Sequence, residues 1–394
     1  MSSTQTEAST KKYMLMLATT ASMIEQFNKN NILILKSMGY EVHVAGNFLE
    51  GNPVSDERLE EFKQWLGEHG AKWFQISATR KPYDVCGNGK ALKDILALIN
   101  TYHYHFIHCH TPIGSVLGRI AAHKTHTKII YTAHGFHFYK GAPLKNWMLY
   151  YPVEKFLSRW TDVLITINQE DYERAKMFKA RKLEHIHGVG VDTNVFKLID
   201  RKASREEIRK EFNIPKDATV VLSVGELNKN KNHRIIIEEL KLYKDVWYII
   251  CGKGPLANEY LELAKRLNMS DRLILTGYRP DVKKFYCAAD VFAFPSKREG
   301  LSLAVMEAMS YGLPIIASDI RGNSELIDVN GGCRFDFRDQ NDLHDKMNKF
   351  LDMKDKWESM GNYNQHKVSA YNLDEVEKEM KKIYTAIDVQ DICR

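Results

Sequence analysis

Short apolar runs alternate with helix-length segments along the chain, and this alternation constrains the fold more than any other feature. In the first half the apolar runs occur at 13–18, 41–45, 73–76, 105–107, 128–132 and 162–167. In the second half they recur at 219–224, 246–251, 273–276, 290–294 and 314–317. Strands that are apolar on both faces belong to parallel sheets covered by helices. The pattern therefore predicts two open α/β units of the same architecture, although no repeat of the sequence itself is visible.

The length of 394 residues agrees with two domains, because single cores rarely grow beyond about 250–300 residues. We predict a disordered polar tail at 1–11, a first domain at 12–200 and a second domain at 201–372. A charge-rich helix at 204–212 makes a good connector between them. An amphipathic helix at 373–388 is expected to pack back on the first domain.

Composition narrows the class of protein. The chain is 44% hydrophobic and 27% charged with a net charge of +6, which is typical of a globular protein, permits an anionic ligand or membrane face, and gives little support to nucleic-acid binding. Six scattered cysteines form no C-x-x-C pair, which indicates a reducing compartment. No apolar run approaches the roughly 20 residues of a membrane span, and residues 1–10 lack the apolar core of a signal peptide. We expect a cytoplasmic protein, at most peripheral on the inner membrane face.

The stretch PSKREGLSLAVMEAMSY at 295–311 follows a buried strand, forms a loop and continues as a helix that ends at Gly312. Free N–H groups at such a helix N-terminus suit a phosphate. Glu299 lies in the loop, where we expect solvent around it in the free protein. Glu307 lies on a helix that is apolar nearly all round, so its carboxylate needs a permanent partner such as a backbone N–H or water. Carboxylates beside a phosphate site are typical of sugar-nucleotide binding.

Two further loops are predicted at the same edge, because parallel strands bring their carboxyl ends together. The run VGELNKNK follows strand 219–224 and ends at Lys231, which could neutralise a diphosphate; the alternative is a solvated loop charge. The run CGKGP follows strand 246–251 and contains Gly254. By contrast, GNGK at 87–90 resembles a fragment of a phosphate-binding loop but lacks the full spacing and a preceding strand, so we interpret it as a plain turn.

Histidines are abundant in the first half. His110 (HCHTPIG) and His134 (YTAHGFH) each follow a strand, which predicts positions at the carboxyl edge of the first sheet; a purely structural role is the alternative. No cysteine or carboxylate cluster completes a metal site, and we expect the histidines of the His-x-His runs to diverge, so no metal is predicted. The first strand is not followed by G-x-G-x-x-G, which argues against a dinucleotide-binding oxidoreductase.

Taken together, these segments resemble the retaining GT-B glycosyltransferases of family 4, and most closely the bacterial capsule and exopolysaccharide enzymes. Glu299 and Glu307 match the family's E-x7-E pattern, and VGELNKNKNH, CGKGP, LTGYRPDV and TAHGFH extend the resemblance over nearly the whole chain. The resemblance implies the GT-B fold class, in which two Rossmann-like α/β domains face each other across a cleft and the last helix crosses back to the first.

The resemblance also implies roles for individual residues. Glu299 would hold sugar hydroxyls, Glu307 the ribose and Lys231 the diphosphate, while His134 would lie near the reacting carbon. The family usually has an arginine where this chain has Glu226, which could shift the phosphate contact to Lys229. The first loop, at 19–22, also lacks the family's glycine pair. The remaining implied contacts are the backbone of Gly300, Leu301 and Ser302 with the diphosphate, Gly254 and Arg279 at the base, and Thr20 and His110 on the acceptor side.

The implied activity is transfer of a sugar from a nucleotide-diphospho-sugar, UDP-sugars foremost, to a hydroxyl of a glycan or lipid-linked glycan in surface-polysaccharide synthesis. The anomeric configuration would be retained. No metal is expected where Lys231 and the helix N-terminus at Leu301 stabilise the leaving diphosphate, and the acidic D-x-D motif, the usual metal anchor of the other large glycosyltransferase fold, is absent. The alternatives are a sugar-nucleotide epimerase of the same fold and a non-catalytic sugar-nucleotide-binding protein. A basic segment at 174–182 is predicted to dock on an anionic inner leaflet, unless it is merely solvated. Its cations are Arg174, Lys176, Lys179, Arg181 and Lys182.

Overall fold

The computed structural model describes residues 11–389, so most of the predicted tail, and also Cys393, lie outside the described residues. The chain forms two compact units. The first runs to Val189 and resumes at Val376, and the second spans Gly190–Glu375. The chain therefore enters the second unit before the position at 200–201 where we placed the domain boundary. One contact responsible is the bond from the backbone N–H of Val191 to the carbonyl of Tyr371.

The first unit is built on a sheet of seven strands that all pair in parallel, in the order β3-β2-β1-β4-β5-β6-β7. The strands are β1 (Lys12–Thr20), β2 (Tyr40–Asn47), β3 (Lys72–Gln75), β4 (Phe106–His110), β5 (Lys128–Ala133), β6 (Val163–Thr166) and β7 (Lys182–His185). The helices are α1 (Ala21–Phe27), α2 (Lys29–Ser37), α3 (Asp56–Glu68), α4 (Val85–Tyr102), α5 (Pro112–Thr125), α6 (Leu144–Leu157) and α7 (Gln169–Ala175).

The second unit repeats this architecture with six parallel strands in the order β10-β9-β8-β11-β12-β13. The strands are β8 (Thr219–Val224), β9 (Val246–Cys251), β10 (Leu273–Gly277), β11 (Val291–Phe294), β12 (Ile315–Ser318) and β13 (Gly332–Phe335). The helices are α8 (Arg201–Glu211), α9 (Arg234–Leu240), α10 (Ala257–Arg266), α11 (Val282–Ala288), α12 (Leu303–Ser310), α13 (Arg321–Leu326), α14 (Gln340–Asp352) and α15 (Trp357–Val368). The predicted pair of parallel α/β units is confirmed.

The last helix, α16 (Leu373–Val389), returns to the first unit as predicted. Tyr384 is fully buried there, and its phenol hydrogen-bonds Nδ1 of His108 at 2.9 Å. Lys128 at the start of β5 donates to the carbonyl of Ile387 at 2.8 Å. Within residues 11–389, no helix combines the length and the apolar character needed to cross a bilayer.

The first β-α connection differs from the prediction. We expected a loop at 19–22, but β1 continues through Thr20 and α1 begins at the next residue. Glycines on neighbouring elements permit this tight connection. A Cβ added at Gly114 would lie 2.9 Å from the backbone nitrogen of Thr19, and one added at Gly46 would lie 3.2 Å from that of Ala21. The room that a glycine pair in the loop would provide thus comes from β2 and α5.

Three local predictions were incomplete or wrong. The run at 87–90 is not a turn but the first turns of α4, whose N-terminus is capped by Asp84 through the N–H of Gly87 at 2.9 Å. The strands β7 and β13 were not predicted. Both lie at the ends of their sheets and contain polar residues or glycine, so they lack the continuous apolar run that identifies central strands.

Candidate functional site

Four loops of the second unit meet at the carboxyl edge of its sheet, after β8, β9, β11 and β12. Parallel pairing makes this convergence unavoidable, because all strands end on the same side. The loops after β8 and β11 are fixed to each other by hydrogen bonds. The N–H of Lys297 donates to the carbonyl of Asn230 at 2.8 Å, and the side-chain amide of Asn230 donates to the carbonyl of Arg298 at 3.1 Å.

The centre of this edge is an ion pair between Lys231 and Glu299. Lys231 Nζ lies 2.8 Å from Glu299 Oε1 and 4.8 Å from the ring centroid of Phe294. The two side chains are only 21% and 19% exposed. The expectation that Glu299 is solvated in the free protein was therefore wrong. Its carboxylate is paired with Lys231, the lysine that we predicted would contact the diphosphate.

The position of Lys231 is set by an asparagine turn. The side-chain oxygen of Asn228 accepts from the backbone N–H groups of Asn230 and Lys231, both at 2.9 Å. Such turns replace the chain's own backbone bonds and hold a loop in one conformation. Lys229 faces solvent, as does Glu226, whose carboxylate accepts from the amide of Asn228 at 2.8 Å. Lys231 is thus the cation that the loop presents to the adjoining loop.

Glycines let these loops approach each other backbone to backbone. A Cβ at Gly254 would lie 2.4 Å from the carbonyl oxygen of Leu227, and one at Gly322 would lie 2.3 Å from that of Gly300. Either contact is too short for any side chain, so these positions require glycine. Arg321 adds a bond from Nε to the carbonyl of Glu299 at 3.1 Å.

The N-terminus of α12 offers free donors beside the ion pair. Ser302 caps this helix by accepting from the N–H of Val305 at 3.4 Å. Among the residues that the structure describes, the backbone N–H groups of Gly300, Leu301 and Ser302 donate to no protein acceptor. Unpaired N–H groups at a helix N-terminus are suited to bind an anion.

Glu307 lies four residues into the same helix and hydrogen-bonds the phenol of Tyr286 at 2.8 Å. The predicted permanent partner exists, but it is a tyrosine and not a backbone N–H or water. Burial raises the pKa of Glu307, and the bond from Tyr286 opposes that rise without cancelling it. Tyr286 lies on α11 and is itself buried, and nothing in the sequence relates it to Glu307.

Arg279 lies just after β10, and its guanidinium is occupied. It contacts Glu211 at 2.6 Å and Asp281 at 2.8 Å, and it stacks 4.8 Å over the ring of Phe285. The side chain is thus held within the unit, and a contact of this position with a base would have to come from its backbone or follow loss of these ion pairs.

In the first unit, His110 and His134 meet at the ends of β4 and β5. Nδ1 of His110 lies 3.1 Å from Nε2 of His134, whose ring is 6.1 Å from that of Phe27. Thr20 is buried at the end of β1. The expectation that the His-x-His histidines diverge was wrong: His108 and His110 have ring centroids 4.2 Å apart, because residues two apart on a strand share one face.

These histidines are held neutral. Burial lowers the pKa of His108 to about 3 and that of His134 to about 4, and it lowers the pKa of His110 well below its usual range. His108 is satisfied on both ring nitrogens, by Tyr384 and by Thr132 at 2.8 Å, whereas Nε2 of His110 is buried without a partner. Within residues 11–389 no group of three or more His, Cys, Asp or Glu side chains is arranged to hold a metal.

The basic segment predicted for membrane docking is largely neutralised by ion pairs. Four of its five cations contact a carboxylate, and only Lys179 has no such partner among the described residues. Lys179 is also exposed. The pairs are Arg174 with Glu170, Lys176 with Glu173, Arg181 with Asp162, and Lys182 with Glu184. The attraction to anionic lipid expected from this segment is correspondingly weak.

Comparison with known proteins gives the class. The model "Glycosyltransferase Family 4" matches residues 32–195, and "Glycosyl transferases group 1" matches residues 204–367. The putative glycosyltransferase EpsD of Bacillus subtilis (strain 168) is 38% identical over 325 residues, which cover 80% of this chain and 81% of that relative. The chain therefore belongs to the family 4 glycosyltransferases, and the resemblance drawn from the sequence is confirmed.

Two further similarities bear on the site. The UDP-Gal:alpha-D-GlcNAc-diphosphoundecaprenol alpha-1,3-galactosyltransferase of Escherichia coli is 32% identical over 260 residues, which cover 62% of this chain and 66% of that relative. The crystal structure of Anabaena Alr3699/HepE in complex with UDP and glucose superposes with a TM-score of 0.76 at 17% identity, covering 95% of this chain and 100% of that one. This likeness concerns the fold.

Replacing Glu307 by Gln should leave the protein as stable as the parent, or more stable, at neutral pH. Because burial raises the pKa of this carboxyl, the folded state disfavours its ionised form, and the parent should lose stability relative to Glu307→Gln as the pH rises above about 4.5. Thermal unfolding of both proteins between pH 4.5 and pH 7.5 measures this. As a control, Tyr286→Phe removes the partner and should cost about 1–3 kcal/mol. A Glu307→Gln protein less stable than the parent at every pH in this range would contradict the raised pKa of Glu307.

Because these histidines are buried and neutral, we expect the stability of the protein to fall at acidic pH. Their pKa values are lowered on folding, so the unfolded chain binds more protons below about pH 6.5, and the free energy of unfolding should fall as the pH drops towards about 3. His108→Gln removes one such group and should make this slope shallower by up to about 1.4 kcal/mol per pH unit. Denaturant unfolding at several pH values measures the slope, with the exposed His123→Gln as control. Equal slopes in parent and His108→Gln would contradict the prediction.

Proposed function

We propose that this protein transfers a sugar from a UDP-sugar to a hydroxyl of a lipid-linked glycan during surface-polysaccharide synthesis, with retention of the anomeric configuration. The observation that carries the proposal is the Lys231–Glu299 ion pair beside three unpaired N–H groups at the start of α12. This arrangement combines positive charge, hydrogen-bond donors and a carboxylate, which are the groups needed by a diphosphate linked to a sugar.

The diphosphate is the leaving group of the reaction, so negative charge grows on it in the transition state. Lys231 and the N–H groups of Gly300, Leu301 and Ser302 are preorganised donors for that charge, and such electrostatic stabilisation is commonly the main source of an enzyme's rate enhancement. In this proposal they supply the compensation of charge that a metal ion provides elsewhere, and transfer is independent of metal.

Binding of the donor requires the ion pair to exchange partners. Lys231 turns to the diphosphate, and Glu299 turns to hydroxyls of the sugar. Each charge is then satisfied both before and after binding, so neither is left buried alone. Glu307, fixed by Tyr286, accepts from the ribose hydroxyls. The base lies against the loops at Gly254 and Arg279, with Lys229 at the solvent side of the phosphate loop.

The acceptor side is assigned to the first unit. His134 is neutral there, and its contact with His110 leaves one ring nitrogen for a substrate oxygen. Thr20 closes the same edge of the sheet. The name of the Escherichia coli relative specifies UDP-Gal and a diphosphoundecaprenol acceptor, and the Anabaena structure holds UDP. Those names support a UDP donor and a lipid-linked acceptor, and hence a cytoplasmic enzyme that works at an anionic membrane face.

The function is tested by incubating the protein with UDP-sugars and a diphosphate-linked lipid acceptor and measuring the UDP released and the anomer formed. A glycosyltransferase releases UDP in proportion to the acceptor consumed. A sugar-nucleotide epimerase would interconvert donors without acceptor, and a binding protein would bind UDP-sugar without releasing UDP. Either outcome would overturn the proposal.

Lys231→Ala should weaken the binding of UDP by about 10- to 150-fold, which corresponds to about 1.5–3 kcal/mol for one charged hydrogen bond. Lys229→Ala is the matched control, because it removes an exposed cation from the same loop and should bind UDP nearly as the parent does. Titration calorimetry measures both. If Lys229→Ala lost affinity and Lys231→Ala did not, the phosphate contact would belong to Lys229.

Glu299→Gln should separate binding from turnover. Loss of the ion pair frees Lys231, so UDP should bind as tightly as in the parent, or up to about fivefold tighter given about 1 kcal/mol for a partly exposed pair. Turnover should fall at least about tenfold, because Glu299 holds the sugar as positive charge grows on its reacting carbon. Calorimetry with UDP and initial rates of transfer measure the two effects. A fully active Glu299→Gln enzyme would contradict the proposed contact between Glu299 and the sugar.

A further inference from the structure

The helix α6 exposes an apolar face that no part of the described chain covers. Of the sixteen large apolar side chains exposed among residues 11–389, five lie on this one helix. Leu144 is 73% exposed and Met148 is 72% exposed. The five lie on one half of the helix and form a broad apolar stripe, because at about 100° per residue they fall within about 180° of one another. They are Leu144, Met148, Leu149, Val153 and Phe156, and with Lys145, Lys155 and Arg159 they are called the α6 surface below.

The inner face of α6 is already packed. Trp147 and Tyr151 pack against Phe138 in tilted and edge-to-face orientations, with ring centroids 5.7 and 5.4 Å away, and Leu157 is buried. The helix is therefore apolar on both sides, and one side faces the core while the other faces solvent. A contiguous exposed apolar patch on a folded protein marks a surface that contacts a partner or a membrane.

The charges on the α6 surface favour an anionic partner. Between His134 and Trp160 the only carboxylate is Glu154, which is buried 2.8 Å from Arg119 in the core. The cations of this surface are exposed and have no carboxylate partner among the described residues: Lys145 and Lys155, which lie between the apolar residues of the stripe, and Arg159, just after α6. A second copy of the chain would bring these cations together, whereas anionic lipid headgroups would neutralise them.

We propose that the α6 surface docks this enzyme on an anionic membrane. Apolar side chains inserted at the headgroup boundary, flanked by lysine and arginine, are the composition of a helix that lies in a membrane interface. The long cationic side chains can extend to the headgroups while their stems follow the apolar stripe. This assignment replaces the ion-paired segment at 174–182. The N–H of Lys179 in that segment donates to the Oγ of Ser158 at 2.9 Å, just after α6, so its one unpaired cation borders the same surface.

The location on the chain suits a lipid-linked acceptor. The α6 surface starts ten residues after His134, and both follow β5 at the carboxyl edge of the sheet. A membrane at this surface would present an acceptor headgroup near the acceptor-side histidines. This part of the inference rests on the proposed function, whereas membrane docking itself does not.

Sedimentation with vesicles tests the proposal on the full-length protein. The vesicles contain phosphatidylcholine alone or mixed with phosphatidylglycerol. The parent should bind the mixed vesicles in preference, and added salt should weaken this binding. Met148→Ser with Phe156→Ser should lower the partition at least about tenfold, since each substitution removes an apolar side chain from the interface. Lys145→Glu with Lys155→Glu and Arg159→Glu should lower it about a hundredfold or more on mixed vesicles.

Two matched variants and one independent measurement complete the design. Leu261→Ser with Val329→Ser changes exposed apolar residues of the second unit, and Lys176→Glu with Lys182→Glu changes the ion-paired segment; both should bind vesicles nearly as the parent does. Thermal unfolding of the α6 variants, followed by circular dichroism, should match that of the parent and shows that the first unit is folded, and their binding of UDP should also equal that of the parent. If the parent protein did not bind UDP, that result would count against the proposed function but not against docking on a membrane.

Three results would overturn the docking proposal: equal binding of the parent to both kinds of vesicle, unchanged vesicle binding by the α6 variants, or a parent dimer that the apolar variant converts to a monomer in analytical ultracentrifugation. The last result would assign the α6 surface to a second copy of the chain.

Discussion

Parallel pairing of every strand is the constraint on which the rest of this structure depends. It places all carboxyl ends of a sheet at one edge, so loops far apart in sequence must share a small space there. In the second unit this brings Lys231 to Glu299, and in the first it brings His110 to His134. Short loops can meet so closely only where side chains are absent, which explains the requirement for glycine at Gly254 and Gly322.

Electrostatics in the free enzyme is arranged so that no site charge stands alone. The cation proposed for the diphosphate and the carboxylate proposed for the sugar neutralise each other until a ligand supplies replacements for both. The attraction between opposite partners thereby offsets the cost of desolvating either group in both states. In the proposed function, an ion pair that must open on binding would also couple recognition of the diphosphate to release of the carboxylate proposed for the sugar, so that the two ends of a sugar nucleotide would bind together.

The remaining titratable groups of the two edges are controlled by burial. Glu307 is tied to Tyr286 and tends towards its neutral form, and the histidines at the ends of β4 and β5 are neutral imidazoles. Neutral groups can donate or accept a hydrogen bond without the desolvation cost of a buried charge. The exposed side of α6 shows the opposite arrangement, with apolar residues and unpaired cations facing outward, and such a surface serves contact with a partner and not stability.

The sequence by itself determined the fold class, the two-unit organisation, the return of the last helix and the family. These follow from local patterns: continuous apolar strands, the spacing of Glu299 and Glu307, and loops that follow strands. Only the tertiary structure decided which groups pair, because pairing depends on contacts between residues distant in the chain. Tyr286 as the partner of Glu307, Lys231 as that of Glu299, and the carboxylates that neutralise the basic segment at 174–182 all belong to this class. The edge strands β7 and β13 do too, because without a continuous apolar run only their pairing with a neighbouring strand identifies them. The exposed face of α6 also belongs here, because an apolar run in the sequence does not say which of its faces the rest of the chain will cover.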